Sequence, residues 1–297
     1  MRQSGTIMER MKDRYFCYAW IAPFFIVFGI FQLYPMLYGF FLSLTKWDGF
    51  TPNPTFIGIQ NYITLFQDET FWETAFNTFV IWILIVPVRT FLALLLATIV
   101  NSKMIKRGRM YSFFFLLPNR TAIVVVAILF RVLFTTNGGL VNVLLTNILP
   151  IEPIQWLDST AMSKVSIALM NIWRGTGYFM IVMLAGLQKI PTSVYEAART
   201  DGASSVRIFF QITLPMMKDV IIFVAMISTI WIFQNIEDAM VLTNGGPLYS
   251  STPLILYMYR NAFEYFKLGY SSAITYVLFA ILFVINYFVV KFQGTQD

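Results

Sequence analysis

Six separate runs of apolar residues, near 17–44, 75–100, 111–134, 165–188, 219–241 and 272–291, constrain this chain more than any other feature of its sequence. Each is long enough to cross a bilayer, because about 20 apolar residues in a helix span the hydrocarbon layer. Inside that layer only helices and closed barrels satisfy every backbone N–H and C=O. The expectation is an all-α polytopic membrane protein with six transmembrane helices. Composition agrees, since only 12% of the 297 residues are charged, against roughly a quarter in soluble domains. The first run follows Arg2, Arg10, Lys12 and Arg14 as a secretion signal would. It exceeds the 7–15 apolar residues of a signal core and is read as a retained helix.

An even number of crossings leaves both termini on one side. If that side is the cytoplasm, the inner segments carry Arg2, Arg10, Lys12, Arg14, Lys103, Lys106, Arg107, Arg109, Lys189, Arg199, Arg207, Lys218 and Lys291. The outer loops then hold only Lys46, Lys164, Arg260 and Lys267. The positive-inside rule accordingly predicts cytoplasmic N- and C-termini. It also accounts for the net charge of +6 without nucleic acid, which calls for one continuous basic face. Histidine is absent and Cys17 is the only cysteine, which excludes a disulfide framework, a Cys/His zinc site and any histidine-based catalytic couple. No GxxxxGK[ST] run offers a phosphate cradle. The chain is therefore expected to be no enzyme and to bind no metal or cofactor itself. Residues 1–297 read as a single transmembrane domain.

The inner loop 189–218 is far longer than a turn between neighbouring helices requires. Ser193-x-x-Glu196 after Pro191 has capping-box spacing. Gly202 can end that helix, Ser204 or Ser205 can cap a second, and Pro215 can start the next span. Two short helices along the membrane surface are expected, a pattern that an ordinary interfacial hairpin explains equally well. The order of residues is more specific. Glu196-Ala197-Ala198, Asp201-Gly202-Ala203 and Ile212-Thr213-Leu214-Pro215 resemble, at the usual spacing, the EAA loop of permease subunits of binding-protein-dependent ABC importers. Phe56-Ile57-Gly58 with Asn61-Tyr62, Leu116-Leu117-Pro118, Leu242-Thr243-Asn244-Gly245-Gly246-Pro247, Ser251-Thr252 and Tyr257-Met258-Tyr259 resemble its carbohydrate branch, of the maltose and multiple-sugar type. Where that branch often has Phe-Asp, this chain has Ile236-Glu237.

The resemblance implies a type I ABC importer permease in a prokaryotic inner membrane. It implies that 189–218 is a coupling loop seated on an ATPase subunit through Glu196, Ala197, Ala198, Asp201, Gly202, Ala203, Leu214 and Pro215. The implied partners are a second homologous permease, two ATP-binding subunits that use ATP and Mg, an extracytoplasmic sugar-binding protein and membrane lipid. The implied function is ATP-driven import of a sugar, with an oligosaccharide favoured. A secondary transporter or channel for a polar solute is the alternative, and it leaves the loop unexplained.

Polar side chains inside spans are costly and usually face a protein interior or an aqueous path. Asn171, Trp173, Arg174 and Tyr178 in the fourth run, with Trp231, Gln234, Asn235, Glu237 and Asp238 in the fifth, are the candidates for a substrate path. Amides, charges and aromatic faces suit sugar hydroxyls and C–H faces, although each residue could instead bond helix to helix. Arg174 and Glu237 could form a charge pair, at similar depths if the two spans run antiparallel, which would lower their burial cost. Arg89, Arg120 and Arg131 fall within or at the ends of runs and receive no role.

Overall fold

The structure is a computed structural model that describes residues 18, 20–102 and 108–293. Cys17, Arg2, Arg10, Lys12, Arg14, Lys103, Lys106 and Arg107, with the side chain of Arg109, lie outside the described residues. In chain order the elements are α1 (Trp20–Ser43), an antiparallel ladder of β1 (Thr45–Lys46) and β2 (Thr55–Phe56), α2 (Gln60–Gln67), α3 (Glu69–Asn101), α4 (Gly108–Arg120) and α5 (Ile123–Leu133). There follow α6 (Leu140–Ile148), α7 (Met162–Leu187), α8 (Thr192–Thr200), α9 (Ser205–Met216), α10 (Lys218–Gln234), α11 (Glu237–Leu242), α12 (Leu254–Phe263) and α13 (Leu268–Gln293). Among the described residues four helices, α1, α3, α7 and α13, are long and apolar enough to cross a membrane alone. The bent pairs α4–α5 and α9–α10 bring the spans to six if each pair is one crossing.

Two of the runs, 111–134 and 219–241, are broken where one continuous helix was expected. In 111–134, α4 and α5 meet at 89°. Pro118 lacks the N–H that would close the last turn of α4, and Ala122 is extended at φ −56°, ψ 130°. In 219–241, α10 ends at Gln234, Asn235 is extended at φ −86°, ψ 112°, and the chain restarts as α11. The Asn235 Oδ1 accepts from the Asp238 N–H at 3.0 Å. Such local bonds let asparagine compete with helix propagation.

The contacts divide the chain into two compact units. In the first, Met1–Leu65 with Asn261–Tyr276, α1 is apolar on every side and exposed along nearly its whole length, Trp20 by 73%. A helix apolar all round requires lipid or another membrane chain around it. Below α1, the Asn61 amide donates to the carbonyls of Ser43 and Thr45, both at 2.8 Å, and Gly58 turns the chain at φ +59°. The segment from Phe56 to Tyr62 thus fastens the ladder to the end of α1.

In the second unit, Phe66–Arg260 with Val277–Asp297, α3 packs along α7. Ile81, Ile85, Ala93 and Ala97 of α3 and Met170, Met180 and Met183 of α7 are buried. Lipid tails are as apolar as these side chains, so association depends on close fit and on polar bonds rather than on escape from water. α7 supplies the small residues for that fit. A Cβ on Gly177 would overlap the Phe115 carbonyl of α4, and one on Gly186 would lie 2.9 Å from Val220 of α10.

Candidate functional site: a polar cleft between broken helices

The two helix breaks converge. Asn119 at the end of α4 and Trp231, Gln234, Asn235 and Glu237 around the α10–α11 break line one cleft of about 330 Å³, together with Arg89, Asn171, Arg174 and Gly175. That volume lies at the lower end of the roughly 300–1,000 Å³ of small-molecule sites. Discontinuous helices whose unwound backbone borders a cavity are the recurrent construction of solute sites in membrane transporters.

A network of buried side chains forms the base of the cleft. Arg89 of α3, only 2% exposed, donates from Nη1 to Asn171 Oδ1 at 2.6 Å and from Nε to Ser228 Oγ of α10 at 3.1 Å. Its guanidinium stands 4.7 Å from the centre of the Phe179 ring. The Asn171 amide donates to Asp238 of α11, and Arg174 Nη2 pairs with the other Asp238 oxygen at 3.5 Å. A Cβ at Gly175 would come within 2.9 Å of Arg89 Nη1, so this glycine makes room for the arginine. Four helices are tied together through three charges. Breaking such a buried set by removing one partner costs about 3–5 kcal/mol, because the remaining charge stays buried without its counterpart.

Of the candidate path residues, Asn171, Arg174, Trp231, Gln234, Asn235 and Glu237 line the cleft, while Asp238 lies beneath it in the network. Trp173 does not line it. It is 47% exposed and rests against Phe130 at 5.5 Å. Tyr178 is also absent from the lining and packs on Trp231 at 5.0 Å between ring centres. The candidate pair of Arg174 with Glu237 is corrected to Arg174 with Asp238. The break at Asn235 resets the helical phase, so the second residue of α11 turns toward α7 and the first toward the cleft. Sequence reasoning missed Asn119 and the role of Arg89. The signal for Arg89 was present, an arginine in the middle of an apolar run.

The 189–218 segment does form two short helices, α8 and α9. The capping box does not occur: α8 starts at Thr192 with Pro191 at its N-cap and no side-chain cap. Proline there has no N–H to satisfy, and Ser193 already lies inside the first turn. α8 ends as the sequence suggests. Gly202 takes φ +75°, and the Ala203 and Gly202 N–H groups donate to the Ala198 and Arg199 carbonyls, each at 3.0 Å, the doubly bonded helix end that favours glycine. Ser204 caps α9 by accepting from the Arg207 N–H at 3.3 Å. Pro215 does not open the next span; it sits in the last turn of α9, ahead of a 65° bend into α10. Tyr195, Phe209 and Leu214 pack against the buried apolar cluster to which Leu94 of α3, Met183 of α7 and Met217 belong. Glu196, Ala197, Asp201, Gly202 and Pro215 are exposed, Ala203 and Leu214 half-buried, and Ala198 buried.

The Leu242–Pro247 segment opens a loop at the far end of α11 that is hydrogen-bonded to α3 and α7. The Asn77 amide donates to the Tyr249 carbonyl at 2.9 Å, and Lys164 Nζ donates to Asn77 Oδ1 at 3.1 Å and to the Ser250 carbonyl at 2.6 Å. Its tip, Leu248, is 85% exposed.

Residues 59–294 match the family described as "Binding-protein-dependent transport system inner membrane component". The sulfoquinovosyl glycerol transport system permease protein SmoG of Agrobacterium fabrum is 34% identical over 97% of this chain and 93% of its own. The lactose transport system permease protein LacF of Rhizobium radiobacter is 33% identical over 95% and 96%. In a solved structure, a chain of a bacterial alginate ABC transporter in complex with an alginate pentasaccharide-bound periplasmic protein superposes with a TM-score of 0.81 at 24% identity, covering 95% of each chain. The fold is that of an ABC importer permease, and the chain belongs to the family of binding-protein-dependent transport system inner membrane components.

Proposed function

We propose that this chain is one of two membrane-spanning subunits of an ATP-driven importer and that the cleft between the broken helices carries a sugar across the membrane. The convergence of the α4–α5 and α10–α11 breaks on one polar cleft carries this reading. Trp231 offers an apolar face for sugar C–H groups, while Asn119, Gln234 and Asn235 offer paired donors and acceptors for hydroxyls. The relatives named for sulfoquinovosyl glycerol and lactose, and the alginate transporter, all handle carbohydrate, which supports sugar as the solute class and an oligosaccharide as its favoured form.

ATP and Mg are used by separate subunits, presented to this chain at α8 and α9 on the cytoplasmic side, where both termini also lie. Glu196, Ala197, Asp201 and Gly202 face outward for such a partner. Tyr195, Phe209 and Leu214 on the same helices grip the core of α3 and α7, so a displacement of the loop is passed to the helices that border the cleft. The hydrogen-bonded loop with Leu248 exposed at its tip suits an extracytoplasmic binding protein. Since α1 is exposed along most of its length among the described residues, a second permease and lipid share its coverage.

The test is purification from the native membrane in mild detergent, mass spectrometry of what accompanies the chain, and reconstitution into vesicles. An ATPase, a second permease and ATP-dependent uptake of a sugar are expected. Recovery of the chain alone, transporting under an ion gradient without ATP, would sink the proposal.

A further inference from the structure

Four charged side chains meet at the cleft, Arg89, Arg174, Glu237 and Asp238, and they are not equivalent. Arg89 is buried and directs its donors to Asn171 and Ser228. Arg174 is paired with Asp238, whose carboxylate is buried and also accepts from Asn171. Two positive charges and one negative are thus fixed in the base of the cleft, with one positive charge in excess. Glu237 stands apart from this set. It is exposed, it lines the cleft, and among the described residues no ion pair or hydrogen bond occupies its carboxylate.

We infer that Glu237 sets the charge class of the solute: its carboxylate cancels the excess positive charge of the base, so the cleft takes uncharged sugars and turns away anionic ones such as uronates and sulfonates. The inference rests on the cleft being the solute path. The remaining lining groups, Asn119, Gln234, Asn235 and Trp231, carry no charge, and so none of them can offset the base in place of Glu237. With the carboxylate removed, the fixed set of Arg89, Arg174 and Asp238 would leave a net positive cleft that draws an anion in. Charges inside a cleft with low-dielectric walls act over several ångströms with little screening, and one unit charge suffices to change relative local concentrations of anion and cation substantially.

The test reads the field of the cleft without needing to know the sugar. Gln234→Cys is introduced together with Cys17→Ser, the assembled transporter is purified with its partner subunits, and the thiol is modified by a cationic or an anionic methanethiosulfonate reagent. Each rate is divided by the rate of the same reagent with free cysteine. Adding Glu237→Gln, which keeps the size of the side chain, should lower the ratio of cationic to anionic modification roughly tenfold. A merely structural role for Glu237 would not move that ratio. A ratio unchanged within about twofold would overturn the assignment of charge class, by the same Coulomb reasoning. Failure of both reagents to modify Gln234→Cys would instead overturn the reading of the cleft as an open path, and the inference with it.

Discussion

The base of the cleft and the α8–α9 loop are both rich in polar residues, but they dispose of them in opposite ways. In the cleft, Arg89, Asn171, Arg174 and Asp238 bond to one another and are buried or nearly so. In the loop, Glu196, Asp201 and Gly202 face outward, and the segment is held by its apolar side chains, Tyr195, Phe209 and Leu214. The first arrangement is internally satisfied and intolerant of change. The second leaves its polar groups for another molecule, so substitution there should spare the fold and damage an interaction.

The contrast is sharpest for paired substitutions of aspartate. Asp238→Ala leaves Arg174 without its carboxylate partner and the Asn171 amide without its acceptor and should cost about 3–5 kcal/mol, read as loss of the monodisperse detergent-solubilised protein in size-exclusion chromatography. Asp201→Ala should leave that peak unchanged; equal damage from both would break the comparison. Gly177→Ala forces α4 away from α7 at the Phe115 carbonyl and should cost about 1–3 kcal/mol, visible as a lower melting temperature.

Gly202→Asp tests the loop itself. The added Cβ meets nothing within 4 Å, and aspartate tolerates the left-handed conformation better than most residues, at a cost of about 1 kcal/mol. The variant should fold, yet ATP-driven uptake in vesicles should be lost while ATP turnover persists. Normal uptake would remove α8 from the coupling role. Ser204→Ala, which deletes the cap of α9, should cost about 1 kcal/mol, confined to that helix and detectable as faster hydrogen exchange at the Arg207 amide.

The smallest effect is expected in the turn after β1. The Asp48 carboxyl is held down to about 2, from an ordinary 3.8, by N–H donors of Thr51 and Phe50 and by the Thr51 hydroxyl. Because the folded value is the lower one, the turn keeps this support above pH 3.8 and loses it as pH falls toward 2. A carboxyl titration followed by NMR should show the depressed midpoint, and Thr51→Val should raise it.

What was legible in the sequence followed from local or one-dimensional signals. Span length and apolarity located the membrane helices, while Gly202 and Ser204 marked the junction of α8 and α9 because a left-handed turn and a cap are decided within a few residues. The capping box failed because Pro191 moved the helix start. Both helix breaks escaped because apolarity runs straight through them, whereas the bond from Asn235 to the Asp238 N–H depends on which of two competing local geometries prevails. Once that break was missed, Glu237 rather than Asp238 was assigned to Arg174. The partners of Arg89 are drawn from helices far away in the chain, which no spacing rule reveals.

The most direct measurement is a cryo-electron microscopy reconstruction of the assembled transporter, trapped with its binding protein and sugar during turnover. The account predicts sugar density in the cleft, against Trp231, Gln234 and Asn235 and above the Arg89–Asn171–Asp238 network. Sugar resolved elsewhere in the membrane region, with that cleft closed or filled by side chains, would contradict it.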